Sequence, residues 1–139
     1  MAEISAAVID AIQKRTLQAS EHELYSGIGE ALPAAERTQF AEAAYLTPSD
    51  LFAIGRDFYE RRLRPAIEDL ICGQLKYCDN RDTYDTATDI VKLVAEEVGK
   101  VLSKTHGLPD EAGETGGRLV VAVSAAVLKE GLNKLCRCA

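Results

Sequence analysis

Four cysteines carry the most distinctive chemistry of this chain, and two stand at its end, in Leu135-Cys136-Arg137-Cys138-Ala139. With Cys72 and Cys78, the sulfurs of Cys136 and Cys138 would suffice for an all-thiolate zinc site, provided the chain end folded back on the turn near Cys78. The gaps, five residues in one pair and one in the other, depart from the usual spacing of structural zinc motifs. A disulfide or redox role needs an ionisable, exposed thiol, and Lys134 and Arg137 favour the thiolate. The last four residues also have the outline of a prenylation box, but Arg137 and Cys138 occupy its usually aliphatic positions and no polybasic segment precedes it. Without these chemistries the end is a solvated, frayed tail over 136–139, Cys72 is a small core residue, and no cofactor is expected.

A second cluster is basic. The stretch Gly55 to Pro65, "GRDFYERRLRP", sets Arg56, Arg61, Arg62 and Arg64 around Phe58 and Tyr59, residues suited to an acidic partner peptide or a phosphate. The same stretch contains two acid-first pairs at four-residue spacing, Asp57 with Arg61 and Glu60 with Arg64, the pattern of a salt-bridged helix face. Exposure of Phe52, Phe58 or Tyr59 would support a partner groove there.

Just upstream, "FAEAAYLTPSDLFAIGRDF", Phe40 to Phe58, runs an alanine-rich segment into a Thr-Pro-Ser cap and a second helix containing a leucine. This stretch resembles the helix-turn-helix of AraC-type transcription activators, departing from it at Tyr45, where that family carries a turn glycine. The resemblance implies a second helix in the DNA major groove, with Ser49, Asp50, Ala53 and Arg56 facing bases.

Enzyme chemistry has little support. His22 and His106 are the two histidines; "HELYS" lacks the second histidine of a zinc-protease motif, and "GETGGR" lacks the spacing and lysine of a phosphate loop. Asp79, Asp82, Asp85 and Asp89 lack the glycine and terminal glutamate of a calcium loop and read as turn and cap residues.

The elements that position these residues are helices almost throughout. Ile4, Ala7, Val8, Ala11 and Ile12 make one apolar stripe. Ser20 with Glu23 forms a capping box for a short second helix, which Gly27 and Gly29 are expected to end. A third covers "PAAERTQFAEAAYL". Thr47 and Pro48 open a long helix whose stripe stays in phase through Pro65, predicting a kink rather than a break. "YCDNRDTYD" is turn chemistry. From Ala87 another helix buries Val91, Val94 and Val98, turns Glu96, Glu97 and Lys100 outward, and stops at Gly107. A flexible connector spans 107–117. The last helix covers about Arg118 to Leu135, and its small residues Ala122, Ser124, Ala125 and Ala126 suit a central position. "RLVVAV" is also strand-like, but no second strand exists to pair with it.

The 139 residues fit one helical domain, 47% apolar and with a formal charge of −6. That charge repels phosphate backbones and makes nucleic acid an unfavoured partner. The longest nearly apolar run, Leu119 to Leu128, is too short to cross a bilayer, and the N-terminus lacks the basic and apolar regions of a secretory signal. The expectation is an acidic, cytoplasmic, all-α compact bundle of five to six helices, one kinked at Pro65. It would act without catalysis through a protein partner or by self-association, the alternatives being a DNA-binding regulator using residues 40–64 and a cysteine-based redox or metal sensor.

Overall fold

The computed structural model describes residues 6–32, 47–84, 86–106 and 114–138. It is an all-α bundle with no strand among the described residues. Helix α1 spans Ala6–Gln18 and α2 spans Glu21–Ala31. The expected third helix, 33–46, and with it the first half of the helix-turn-helix resemblance, lies outside the described residues.

Both predicted capping boxes form. The Ser20 hydroxyl accepts from the Glu23 amide at 3.1 Å while the Glu23 carboxylate accepts from the Ser20 amide at 3.1 Å. Thr47 and Asp50 do the same at 3.2 and 3.0 Å, with Pro48 in the first turn of α3, Pro48–Asp57. The backbone amide of each cap residue, helped by its hydroxyl, holds the partner carboxyl below its ordinary value. A lowered folded-state pKa contributes stability that is present above the ordinary values of 4.5 and 3.8 and lost as pH falls through the folded ones. Acid titration of the Glu23→Gln, Asp50→Asn variant is therefore expected to show a shallower loss of stability below those values than the parent chain; equal slopes would remove the caps from the pH dependence.

Helix α2 does not end at its glycines. It continues to Ala31 because Gly29 faces α3. A β-carbon on Gly29 would strike the Leu51 carbonyl, and one on Gly55 would strike the Tyr25 carbonyl and the Gly29 amide. The two helices cross backbone against backbone, a separation only glycine permits.

Beyond α3 the same helical rod continues through a π-helical segment, Phe58–Leu63, then α4, Arg64–Glu68, then a second π segment, Asp69–Gln74. The expected kink region thus flanks Pro65 with two wide turns, closed by the Arg64 amide on the Tyr59 carbonyl and the Leu75 amide on the Leu70 carbonyl. The sequence explains them. Tyr59, Leu63, Ile67 and Ile71 recur every fourth residue and are all buried, whereas an ideal α-helix overshoots a full turn by about 40° in four residues. Wide π turns take up that drift and keep all four in the core. Pro65, which has no amide to donate, sits between them.

A turn at Lys76–Asn80, in which the Asn80 side chain donates to the Leu75 and Lys76 carbonyls at 3.0 and 3.1 Å, leads through a short 3-10 turn to α5, Ala87–His106. Its buried face is broader than the periodicity indicates: Glu97, expected outside, is only 4% exposed and accepts a 3.0 Å bond from Lys100. Helix α6, Glu114–Glu130, starts within the expected connector; residues 107–113 lie outside the described ones. It is the central helix, packed on α1, α2 and α5, with Leu119, Val123, Ser124, Ala125 and Val127 fully buried. The strand-like run is therefore helical. Gly131, at φ 93°, breaks the predicted last helix, and α7, Leu132–Leu135, follows as a separate turn with both leucines buried.

Candidate functional site

Helix α7 and the residues after it bring the four cysteines together. Cys136 is bonded to Cys72 in the second π segment, and Cys138 to Cys78 in the following turn, with Cα separations of 5.2 and 5.4 Å. The expectation of a frayed end with idle thiols is corrected through Cys138: no free cysteine remains. The physical reason is the burial of Leu132 and Leu135, which seats α7 on the bundle and delivers Cys136 to Cys72. Lys76 at φ 51° and Arg137 at φ 53° each turn the chain just before the second cysteine of its segment. The Cys78 sulfur lies 3.7 Å from the Cys136 carbonyl oxygen, so the two bridges adjoin. All four cysteines are half-buried, at the surface rather than in the core.

Next to this clamp, Lys134 of α7 forms one wall of a cavity of about 530 Å³, whose other walls include Tyr25 of α2, Glu60, Arg64 and Glu130. Arg64 crosses it, placing Nε 3.1 Å and Nη2 2.5 Å from the two oxygens of Glu130 and a third nitrogen 3.7 Å from Glu68. The predicted Glu60–Arg64 pairing is replaced by this fork, because the wide π turn rotates Arg64 toward α6. The Glu130 bonds stabilise the Arg64 cation further. Burial, reinforced by the Glu21 and Glu60 charges, pushes the Tyr25 phenol up to about 12. Tyr59, whose buried hydroxyl makes no hydrogen bond, is raised further, by burial first and the Glu130 charge second.

With Arg64 34% and Glu130 19% exposed, Arg64→Ala is expected to cost about 2 kcal/mol, because it strands a partly desolvated carboxylate. Urea denaturation should show Arg64→Met with Glu130→Leu costing less than Arg64→Ala alone. A double variant no better than the single would mean the pair stabilises the bundle directly.

The basic stretch is divided by the fold. Phe58 and Tyr59, expected at a partner surface, are core residues at 0% and 1% exposure, because they belong to the in-phase stripe that packs inward. Arg56 and Arg61 are exposed and Arg62 is half-exposed. Arg61 keeps its predicted pairing with Asp57 at 3.0 Å, and Arg62 lies over the Phe58 ring at 5.6 Å. Phe52 is half-buried, stacked on His22 at 4.5 Å and overlain by Arg56 at 5.4 Å. This face thus presents cations and one aromatic edge in place of a groove.

The residues that the helix-turn-helix resemblance would aim at bases share the outer face of α3, with Ser49, Ala53 and Arg56 exposed and Asp50 held in its cap. Asp50, Asp57 and Glu60 line this face against Arg56 and Arg61. Such a balance gives little attraction for phosphate. Among the described residues no group of three or more His, Cys, Asp and Glu side chains is arranged to hold a metal ion, and no helix is long and apolar enough to cross a membrane. Comparison with family models, curated proteins and solved structures returns no match.

Proposed function

We propose that this chain is a non-catalytic helical regulatory module that works through protein contacts and is switched by the redox state of its C-terminal thiols. One observation carries the reading: two disulfides join the same two short segments, residues 72–78 and 136–138, at the surface. A single bridge would already secure α7. A pair at one end of the bundle makes the position of α7 depend on redox state, while the core of α1, α2, α3, α5 and α6 contains none of these cysteines. The core of a 139-residue chain is large enough to fold without staples. In the cytoplasm, where dithiol systems reduce accessible disulfides, a bridge of this kind is a sensor rather than a permanent fixture.

Oxidised, α7 is locked. Reduced, it is held chiefly by Leu132 and Leu135, whose burial is worth about 2 kcal/mol each, and it opens at the Gly131 hinge without unfolding the rest. Opening would uncover an apolar surface for a partner and withdraw Lys134 from the charged cavity.

Hydrogen exchange on the oxidised and dithiol-reduced chain tests this. The expected result is that reduction removes nearly all protection at Leu135, Cys136 and Cys138, while α5 and α6 stay protected and lose only what the lower global stability takes from them. Uniform loss across all helices would make the disulfides structural staples and end the switch reading. The exposed Arg56 and Arg61 face is the second candidate contact, to be mapped with the same partner once one is captured.

A further inference from the structure

We propose that, in the reduced chain, Cys72, Cys78, Cys136 and Cys138 form a four-thiolate site for a thiophilic divalent cation, zinc being the one whose geometry it fits. This inference rests on the redox reading above and divides its reduced state in two: without metal α7 opens, and with metal the four thiolates hold it closed again.

In the oxidised form the sulfurs are bonded to one another and have no charge to offer a metal. Reduction changes the donors without requiring the segments to move far. Each bridge is reduced by a dithiol through a mixed disulfide: the dithiol becomes its own disulfide, and two electrons and two protons pass to the protein. Two such reactions give four thiols. Zinc binding then displaces four protons and leaves a centre of net charge −2.

Three observations set the two bridges side by side, so that reduction frees four thiols at one place on the surface. The two bridges join the same pair of short segments. Their Cα separations, 5.2 and 5.4 Å, bring the two cysteines of each bridge within chelating distance, since tetrahedral zinc with bonds of about 2.3 Å needs sulfurs roughly 3.8 Å apart. The Cys78 sulfur lies 3.7 Å from the Cys136 carbonyl, which sets the second pair beside the first. The sequence spacing that argues against zinc loses its force here. Its premise is that each chelating pair is local, whereas these pairs, 72 with 136 and 78 with 138, form across the fold.

The surrounding charge suits a dianionic centre. Lys76 and Arg137 lie inside the two cysteine segments, Lys134 is two residues before Cys136, and Arg81 donates to Asn133 at 3.3 Å. Against these four cations stand Asp69, Asp79 and Asp82. The net positive charge partly offsets that of the centre.

The test uses the full chain, reduced anaerobically with a phosphine that does not itself bind the metal, its thiols counted and its helicity recorded before any metal is added. Zinc is then titrated, with cobalt as the spectroscopic probe. The expected result is one equivalent of metal per chain, all four thiols protected from alkylation, and the ligand-field bands of tetrahedral cobalt thiolate. The Cys78→Ser, Cys138→Ser chain, left with two thiols, should bind about 100-fold more weakly or worse. A folded chain with four countable thiols and no stoichiometric metal overturns this inference and leaves the switch intact. Disulfides that resist reduction until the chain unfolds overturn both. A reduced chain that loses helicity and regains it with zinc supports the site while overturning the metal-free switch.

Discussion

Gly55→Ala is expected to lower the melting temperature by about 10 °C, although alanine is the better helix former by roughly 1 kcal/mol. The added β-carbon would occupy the space of the Tyr25 carbonyl oxygen and the Gly29 amide. These are backbone atoms and cannot swing aside as a side chain would, so α2 and α3 must separate. Overpacking of this kind costs about 3 kcal/mol, which for a domain of this size corresponds to the stated shift. Separation would also disturb the Phe52 stack on His22 and the Tyr25 edge against Phe52, 5.8 Å between centroids. Gly73→Ala is the control: its new carbon would meet only an Asp69 oxygen at an ordinary 3.5 Å, and its melting temperature should equal or exceed that of the parent. If Gly55→Ala melts no lower than Gly73→Ala, the close crossing of α2 and α3 is wrong.

Removal of the disulfides is expected to act non-additively. Cys72 and Cys136 are 64 residues apart and Cys78 and Cys138 are 60 apart. In the chain-entropy account, either bridge alone restrains the unfolded chain by about 4 kcal/mol. With one in place, the other closes only the small ring made by residues 72–78 and 136–138, and adds about 2.5 kcal/mol. Replacing one pair by serines should therefore cost about 2.5 kcal/mol, and replacing both should cost distinctly more than twice that. Guanidinium unfolding of the two single-pair variants and the four-serine chain measures this directly. Equal, additive losses would show that the bridges act in the folded state, each on its own surroundings, rather than on a shared loop.

These two expectations also show what could be read from residues alone. The Ser20–Glu23 and Thr47–Asp50 boxes were legible because capping is local: three residues of spacing and the right side chains suffice. The helical class, the kink around Pro65 and the central place of the Ala122 to Ala126 helix were legible for a similar reason, since periodicity and small-residue runs report on neighbours within one or two turns. The π segments have no local signature, yet their cause, an apolar residue at every fourth position from Tyr59 to Ile71, stands in the sequence.

The misplaced elements share a different cause. Gly29 read as a helix terminator because glycine destabilises helices locally; its partner Gly55 is 26 positions away, and only the crossing of α2 and α3 explains both. Phe58 and Tyr59 read as partner contacts because arginines surround them, and Arg64 was assigned to Glu60 because that carboxylate is four residues away. The fold turns the aromatics inward and gives Arg64 to Glu130 instead.

The cysteines mark the boundary most clearly. Residue types and spacing establish that the chain builds helices, where several begin, and that four sulfurs lie at 72, 78, 136 and 138. That those sulfurs meet is a property of the packing, because closing a separation of 60 to 64 residues depends on the burial of Leu132 and Leu135 and on the turn at Gly131. Local spacing carries the energetics of a cap or a turn; it carries none of the packing that brings distant segments together.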